Sequence, residues 1–483
     1  MTDYHYSETR SIVSNLKLDD NSGKKNAISF FMGMAVIVAA ILLGRSFLFY
    51  IPFLLFSVFI TLVWRRNFRP WVNLVSTSAA TPIAIAQQNF SCNLIFAIWY
   101  SFLNRQYYSS LPNWIKIASG LAVFGLFTSS INWMSIGIIN GMMRQGSFFV
   151  TLFLGPYLLL PIVYMKMKES QDHTANLQGL LFCLIIPSTL VLVGARAFGT
   201  VANAWEASLH GAMLPEGFLM FRFGKVIVSF LRTDVGFILA VLTCASLAIS
   251  ISKVRTLYRL LSGACFVSNL ILLFMTGSFG SGFSCLCGML AIFSIQIKKL
   301  SVKKVLGSVV AMICVMFVVY NLLPQSTKTY LEKRYEHRVT KADTDRFDLW
   351  GRALDHFFKY PEGVGLNLSV AASINIYHKV RSNIHNEYLV YAVSYGLFGG
   401  IAFVLIVAKL LIYYLKMRKH KIDDPYALAT YLAGLGVVIA VSLNCMTDHL
   451  NANRWYFNVS WSIIWYCYFC TQGVQTENTM KSA

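Results

Sequence analysis

YLVYAVSYGLFGGIAFVLIVA, residues 388–408, carries no charged side chain and decides the fold. At about 1.5 Å rise per residue, a helix of this length covers a hydrocarbon layer about 30 Å thick. Similar apolar runs recur at 27–44, 47–64, 176–195, 235–252 and 305–323. Hydrophobic residues make up 56% of the 483 positions, mean hydropathy is +0.57, and only 13% of residues are charged. A soluble domain carries about 25% charge. The expectation is an all-α polytopic membrane protein of about 12–14 transmembrane helices, because a helix satisfies its own backbone inside lipid.

The net charge of +20 does not point to nucleic acid. The bases stand in short clusters between apolar runs: Arg65, Arg66 and Arg69; Lys253, Arg255 and Arg259; Lys298, Lys299, Lys303 and Lys304; Lys416, Arg418, Lys419 and Lys421. Such clustering is the positive-inside pattern. Threading the chain through it gives a cytoplasmic tail at 1–26, containing Asp3, Glu8, Asp19 and Asp20. Transmembrane helices fill 27–323, with weaker spans at 71–87 and 89–103 and an external loop at 196–233. A large external loop follows at 324–386, then C-terminal spans over 387–472 and a cytoplasmic tail at 473–483. The cysteines lie in or at the ends of apolar runs and suggest no disulfide framework. Cys285-x-Cys287 and Cys467-x-x-Cys470 read as packing residues in lipid, not metal ligands.

Both long polar loops fall on one side, which marks that side as the place of function. Loop 324–386 holds Arg334, Arg338, Arg346, Arg352, Arg381, His337, His356, His378 and His385 beside four aspartates. Within it, Arg346, Leu349, Trp350, Ala353, Leu354, Phe357 and Phe358 follow helical spacing. An amphipathic helix is expected there, over the bundle or on the membrane surface, ended by Pro361-Glu362-Gly363-Val364-Gly365. The first loop and its borders add Arg196, Arg222, Lys225 and Arg232. Guanidinium groups bind phosphate through paired hydrogen bonds, so a basic external face suits a lipid-linked phosphate or pyrophosphate. His385 precedes Asn386, a candidate N-cap at the junction of loop and span. The positive end of a helix favours a neutral imidazole, and a neutral imidazole accepts a proton. A capping or interfacial histidine is the plainer reading of that position.

The motif His385-Asn386, nine residues, then Gly396-Leu397-Phe398-Gly399 resembles the His-Asn-x9-Gly-x-x-Gly signature of the O-antigen ligase and O-antigen polymerase superfamily. Arg346-Phe347-Asp348-Leu349-Trp350 and Pro361–Gly365 resemble its Arg-x3-Trp and Pro-x-x-Gly-x-Gly stretches. The likeness spans about residues 230–470. It implies a GT-C-like fold and a glycosyltransferase of the inner membrane that faces the periplasm and uses no metal and no cofactor. Its partners would be an undecaprenyl-pyrophosphate-linked oligosaccharide, an acceptor glycolipid, the bilayer and a chain-length regulator protein. His385 would be the catalytic base, with Asn386 beside it. Arg232 and Arg346 come first as pyrophosphate ligands, and Arg196, Arg222, Arg352 and Arg454 follow. Ser278-Phe279-Gly280 stands where many relatives carry Ser-Arg-Gly, so the resemblance implies that a pyrophosphate-binding arginine is missing at Phe279. The expected activity is a polysaccharide polymerase, with a ligase to lipid A–core as the alternative. A lipid-linked glycan transporter is the competing class, but it would place ionisable residues at mid-membrane, where these runs have almost none.

Overall fold

The computed structural model describes residues 68–79, 82–85, 88–91, 93–133, 149–197, 219–223, 226–230, 232–276, 278–296, 344–365, 384–420, 422–447, 454–482 and a few isolated positions. The expected spans at 27–44, 47–64 and 305–323 lie outside these residues.

Twelve helical elements carry the described structure. They are α1 (Phe68–Ser78), α2 (Asn93–Leu103), α3 (Asn113–Trp133), α4 (150–169), α5 (His173–Ala197), α6 (Arg232–Ser250), α7 (Thr256–Thr276), α8 (Phe279–Gln296), α9 (Thr344–Lys359), α10 (Glu387–Met417), α11 (Pro425–Thr447) and α12 (Arg454–Ser482). A single helical turn at Tyr107–Ser110 links α2 to α3. Among the described residues, five helices are long and apolar enough to cross a membrane: α3, α7, α8, α10 and α11. Two shorter apolar helices, Asn93–Leu103 and Val235–Ser250, accompany them. The protein is an all-α polytopic membrane protein.

Three features depart from the expected layout. The weak spans at 71–87 and 89–103 are replaced by short α1, an antiparallel hairpin and α2. The hairpin joins β1 (Pro82–Ile85) to β2 (Gln88–Ser91), with Pro82 opposite Ser91 and Ile85 opposite Gln88. Asn73, Ser76, Thr77 and Ser78 are buried within the protein, not set against lipid, and Ser76 shares a hydrogen bond with Tyr164 at 3.0 Å. In the first loop, β3 (Leu219–Phe223) pairs with β4 (Val226–Phe230) and packs on α5. At the C-terminus, α12 continues to Ser482, well beyond residue 472.

The core is built from small residues and aromatics. A Cβ on Gly288 of α8 would come 2.7 Å from Cys244 Sγ of α6 and 2.7 Å from the Gly436 carbonyl of α11. Small residues let helices approach closely where lipid supplies no hydrophobic drive for association. Around α4 the core is aromatic. Phe153 meets Tyr391 edge-on at 4.5 Å, and Tyr157 meets Trp461 at 4.8 Å. Pro156 cannot donate its backbone nitrogen, and the first part of α4 is wound as a π-helix; the Pro156 carbonyl accepts from Trp465 Nε1 at 2.5 Å.

Candidate active site

Helix α10 is broken one-third of the way along. Tyr395 (φ −118°, ψ 17°) and Gly396 (φ 66°, ψ −165°) leave helical geometry. The second of these conformations is essentially restricted to glycine. A break in the helical ladder frees backbone groups, and each one left unsatisfied inside a membrane costs several kcal/mol. Here the loop after α9 supplies the partners. Val364 N–H donates to the Val393 carbonyl at 3.1 Å, and Gly365 N–H donates to that of Ser394 at 2.8 Å. In return Leu397 N–H donates to the Pro361 carbonyl at 2.9 Å. A Cβ on Gly363 would strike Gly396 N, and one on Gly396 would lie 2.5 Å from the Pro361 carbonyl oxygen. The Pro-x-x-Gly-x-Gly and Gly-x-x-Gly stretches are therefore two halves of one backbone clamp.

Helix α3 closes the clamp from behind. Asn132 Nδ2 donates to Glu362 Oε1 at 2.9 Å and to the Gly363 carbonyl at 2.7 Å, and Thr128 Oγ1 donates to the Glu362 carbonyl at 3.3 Å. Gly125 lets α3 approach α10 so closely that a Cβ there would be 2.9 Å from Gly399 N.

The clamp sits two turns below His385. Asn386 caps α10, its Oδ1 accepting from Leu389 N–H at 3.2 Å, as the sequence indicated. His385 itself, half-buried, has φ of +51°, a left-handed conformation uncommon outside glycine. On its other side the Ile384 carbonyl accepts from Trp350 Nε1 of α9 at 3.0 Å, and Ile384 is buried. The histidine is thus fixed between the cap and a tryptophan tie. Glu387, next in sequence, is completely buried. Sequence reasoning passed over it, because a glutamate in a first helical turn ordinarily serves the helix dipole in solvent.

Helix ends converge on the same level. Tyr388 Oη donates to the Ser442 carbonyl near the end of α11 at 3.2 Å. A Cβ on Gly280, at the start of α8, would be 2.6 Å from Thr447 Oγ1 at the end of α11. A Cβ on Gly236, one turn into α6, would be 2.7 Å from Ser278 Cβ. Beneath them Asn444 Nδ2 donates to Ser281 Oγ at 3.0 Å and Ser284 Oγ at 3.1 Å.

The predicted arginines distribute around this end. The side chains of Arg196, Arg222, Arg232, Arg346 and Arg454 lie outside the described part of the structure, but their backbone positions are given. Arg232 opens α6 and stands four residues before Gly236, on the helix face that meets Ser278. Arg454 opens α12, a short connection after the end of α11. Arg196 lies in the last turn of α5, against which the hairpin bearing Arg222 packs. Arg346 lies in the first turn of α9, in register with Ala353 and Phe357. Ala353 is buried and Phe357 packs on the core, so this is the flank of α9 that docks on the bundle. Arg352 is exposed on a different face of α9. Phe279 is 43% exposed at the first residue of α8.

Helix α9 occupies the stretch where the spacing placed it, but its apolar positions divide. Trp350, Ala353 and Phe357 face the protein, whereas Phe347, Leu354 and Phe358 are exposed. Within α9, His356 is half-buried against Tyr360, and burial first, then the nearby Lys359 charge, lower its pKa from the ordinary 6.5.

No curated protein matches the chain. Residues 264–404 match the family described as O-antigen ligase, a segment that contains the tryptophan tie, both halves of the clamp, His385 and the break in α10. Through this segment the chain is similar to the O-antigen ligase/polymerase superfamily of membrane proteins.

Proposed function

We propose that the protein is a polysaccharide polymerase of the bacterial inner membrane. It transfers a glycan from undecaprenyl pyrophosphate to a hydroxyl of an acceptor repeat unit, at the His385 end of the bundle and on the periplasmic side. The observation that carries this reading is the fixed, left-handed His385 between the Asn386 cap and the Trp350 tie. A base held in one geometry contributes about 10²–10⁴-fold to a rate.

In this reaction the His385 imidazole takes the proton of the acceptor hydroxyl as that oxygen bonds to the anomeric carbon. The bond from that carbon to the pyrophosphate oxygen breaks, and the electron pair leaves with the pyrophosphate. Guanidinium groups at this end stabilise the departing charge. Arg232 supports this role by its position on the α6 face that meets Ser278, next to the Phe279 position where the family's arginine is missing. Arg346 supports it by its register on the docked flank of α9. Arg454, Arg196 and Arg222 are further candidates for the same role. Arg352 is the weakest of the candidates because its face of α9 points away from the bundle.

A ligase reading, with lipid A–core as acceptor, is favoured by the description of the matching family. The polymerase reading is favoured by the departure at Phe279 and by the long chain preceding the matched segment. A transporter is disfavoured because the buried polar side chains of the described spans are serine, threonine, asparagine and glutamine, with Glu387 at the rim.

The test is transfer in vitro with EDTA present, supplying undecaprenyl-pyrophosphate repeat units with and without lipid A–core. A ladder from repeat units alone is expected, lost in His385→Ala. Product only with lipid A–core makes the protein a ligase. A ladder that survives His385→Ala removes the base assignment, and movement of lipid-linked glycan across vesicles without transfer makes the protein a transporter.

A further inference from the structure

The exposed apolar side chains of α9 are not scattered. Phe347, Leu354 and Phe358 are 67%, 41% and 75% exposed. Spaced by seven and four residues, they form one stripe along the helix, within about 40° of arc. Trp350, Ala353 and Phe357 form the adjoining stripe, which holds α9 to the bundle. Arg352, Asp355 and Lys359 are exposed on the remaining side. The helix therefore has three sectors: docked, apolar and bare, and charged.

We propose that the bare sector lies in the bilayer, making α9 an interfacial helix embedded in the leaflet at the His385 end. Continuity with the lipid-facing surface of the spans carries this assignment. Leu397, whose N–H bonds the Pro361 carbonyl just after α9, is itself 48% exposed on α10. On α3, Ile131 and Phe127 are 74% and 67% exposed beside Asn132, which holds Glu362. The stripe on α9 thus extends the same apolar belt around the end of the bundle. An apolar stripe beside a charged face is the arrangement by which an amphipathic helix settles at the headgroup boundary. A second protein copy fits less well: the exposed parts of these three side chains come to about 350 Å², under half of the about 800 Å² that each partner gives to a specific interface. Because Trp350 ties α9 to Ile384, the depth of α9 in the leaflet sets the height of His385 relative to the headgroups.

The unmodified full chain in nanodiscs containing a phospholipid with an acyl-chain diazirine tests this without reference to any enzymatic activity. After illumination, lipid adducts are expected on Phe347, Leu354 and Phe358 at yields like those on Leu397 and Ile131. Arg352 and Asp355 should give severalfold less. The double variant Phe347→Asp/Phe358→Asp should lose the adducts on α9 and keep those on the spans. An unlabelled α9 beside labelled spans would overturn the proposal, whether water or a second copy covers the stripe. Equal labelling around the whole circumference of α9 would overturn it as well.

Discussion

Replacing Gly396 by Ala adds one methyl group at the break in α10, where the backbone has φ 66° and ψ −165° and where a Cβ would lie 2.5 Å from the carbonyl carbon of Glu362 and the carbonyl oxygen of Pro361. The conformation alone costs an L-residue about 1–3 kcal/mol. The contact is with backbone, so no side chain can rotate away and the Pro361–Gly365 segment must retreat. Retreat gives up the bonds Val364 N–H to Val393, Gly365 N–H to Ser394 and Leu397 N–H to Pro361. At about 0.5–1.5 kcal/mol each, their loss together with the strain makes local opening easier by about 2.5–7.5 kcal/mol. That corresponds to about 10²–10⁵-fold in an opening equilibrium. Hydrogen exchange in nanodiscs reads it directly, as faster exchange of the Val364, Gly365 and Leu397 amides with the mid-span amides of α11 unchanged. Turnover should fall as well, because the break lies in α10, the helix whose Asn386 cap holds His385. Unchanged exchange at those three amides would refute the clamp as the reason for the two glycine motifs.

Trp350→Phe keeps the ring in place and removes the bond to the Ile384 carbonyl, so turnover should fall severalfold with little change in the amount of folded protein; a normal rate would separate the tie from catalysis. Arg232→Ala should weaken donor use, and Arg232→Lys should rescue it poorly because paired hydrogen bonding to pyrophosphate is lost; full rescue by lysine would show a simple charge effect. Asn444→Ala removes two bonds to Ser281 and Ser284 and should destabilise the packing of α8 on α11 by about 0.6–1.7 kcal/mol, measured by unfolding in mixed micelles. His356 binds a proton less readily when folded than when exposed, so acid favours the undocked form. The docking of α9 should therefore weaken as pH falls below 6.5 and be indifferent to pH above it, and His356→Gln should abolish that dependence in the exchange of the α9 amides.

Some of this was legible before any fold was known. Composition, the apolar run at 388–408 and the spacing of bases fixed an all-α membrane protein, because bilayer thickness and backbone satisfaction leave few alternatives. The Asn386 cap and the extent of α9 were readable for the same kind of reason, since capping and helical spacing are local. His385 stood out by its junction position.

Other features depended on contacts between distant segments. The run 71–87 looked like a weak span, and only the bundle around it shows that the serines and threonine near its start bond within the protein. The clamp joins Pro361–Gly365 to Val393–Leu397, segments whose sequence motifs could be matched but not paired, because backbone hydrogen bonds carry no side-chain signature. The division of α9 into docked and bare stripes, the burial of Glu387 and the docking of the face that carries Arg346, not the one that carries Arg352, were also decided by packing. Helical spacing tells which residues share a face, and only the neighbouring helices tell which face is covered.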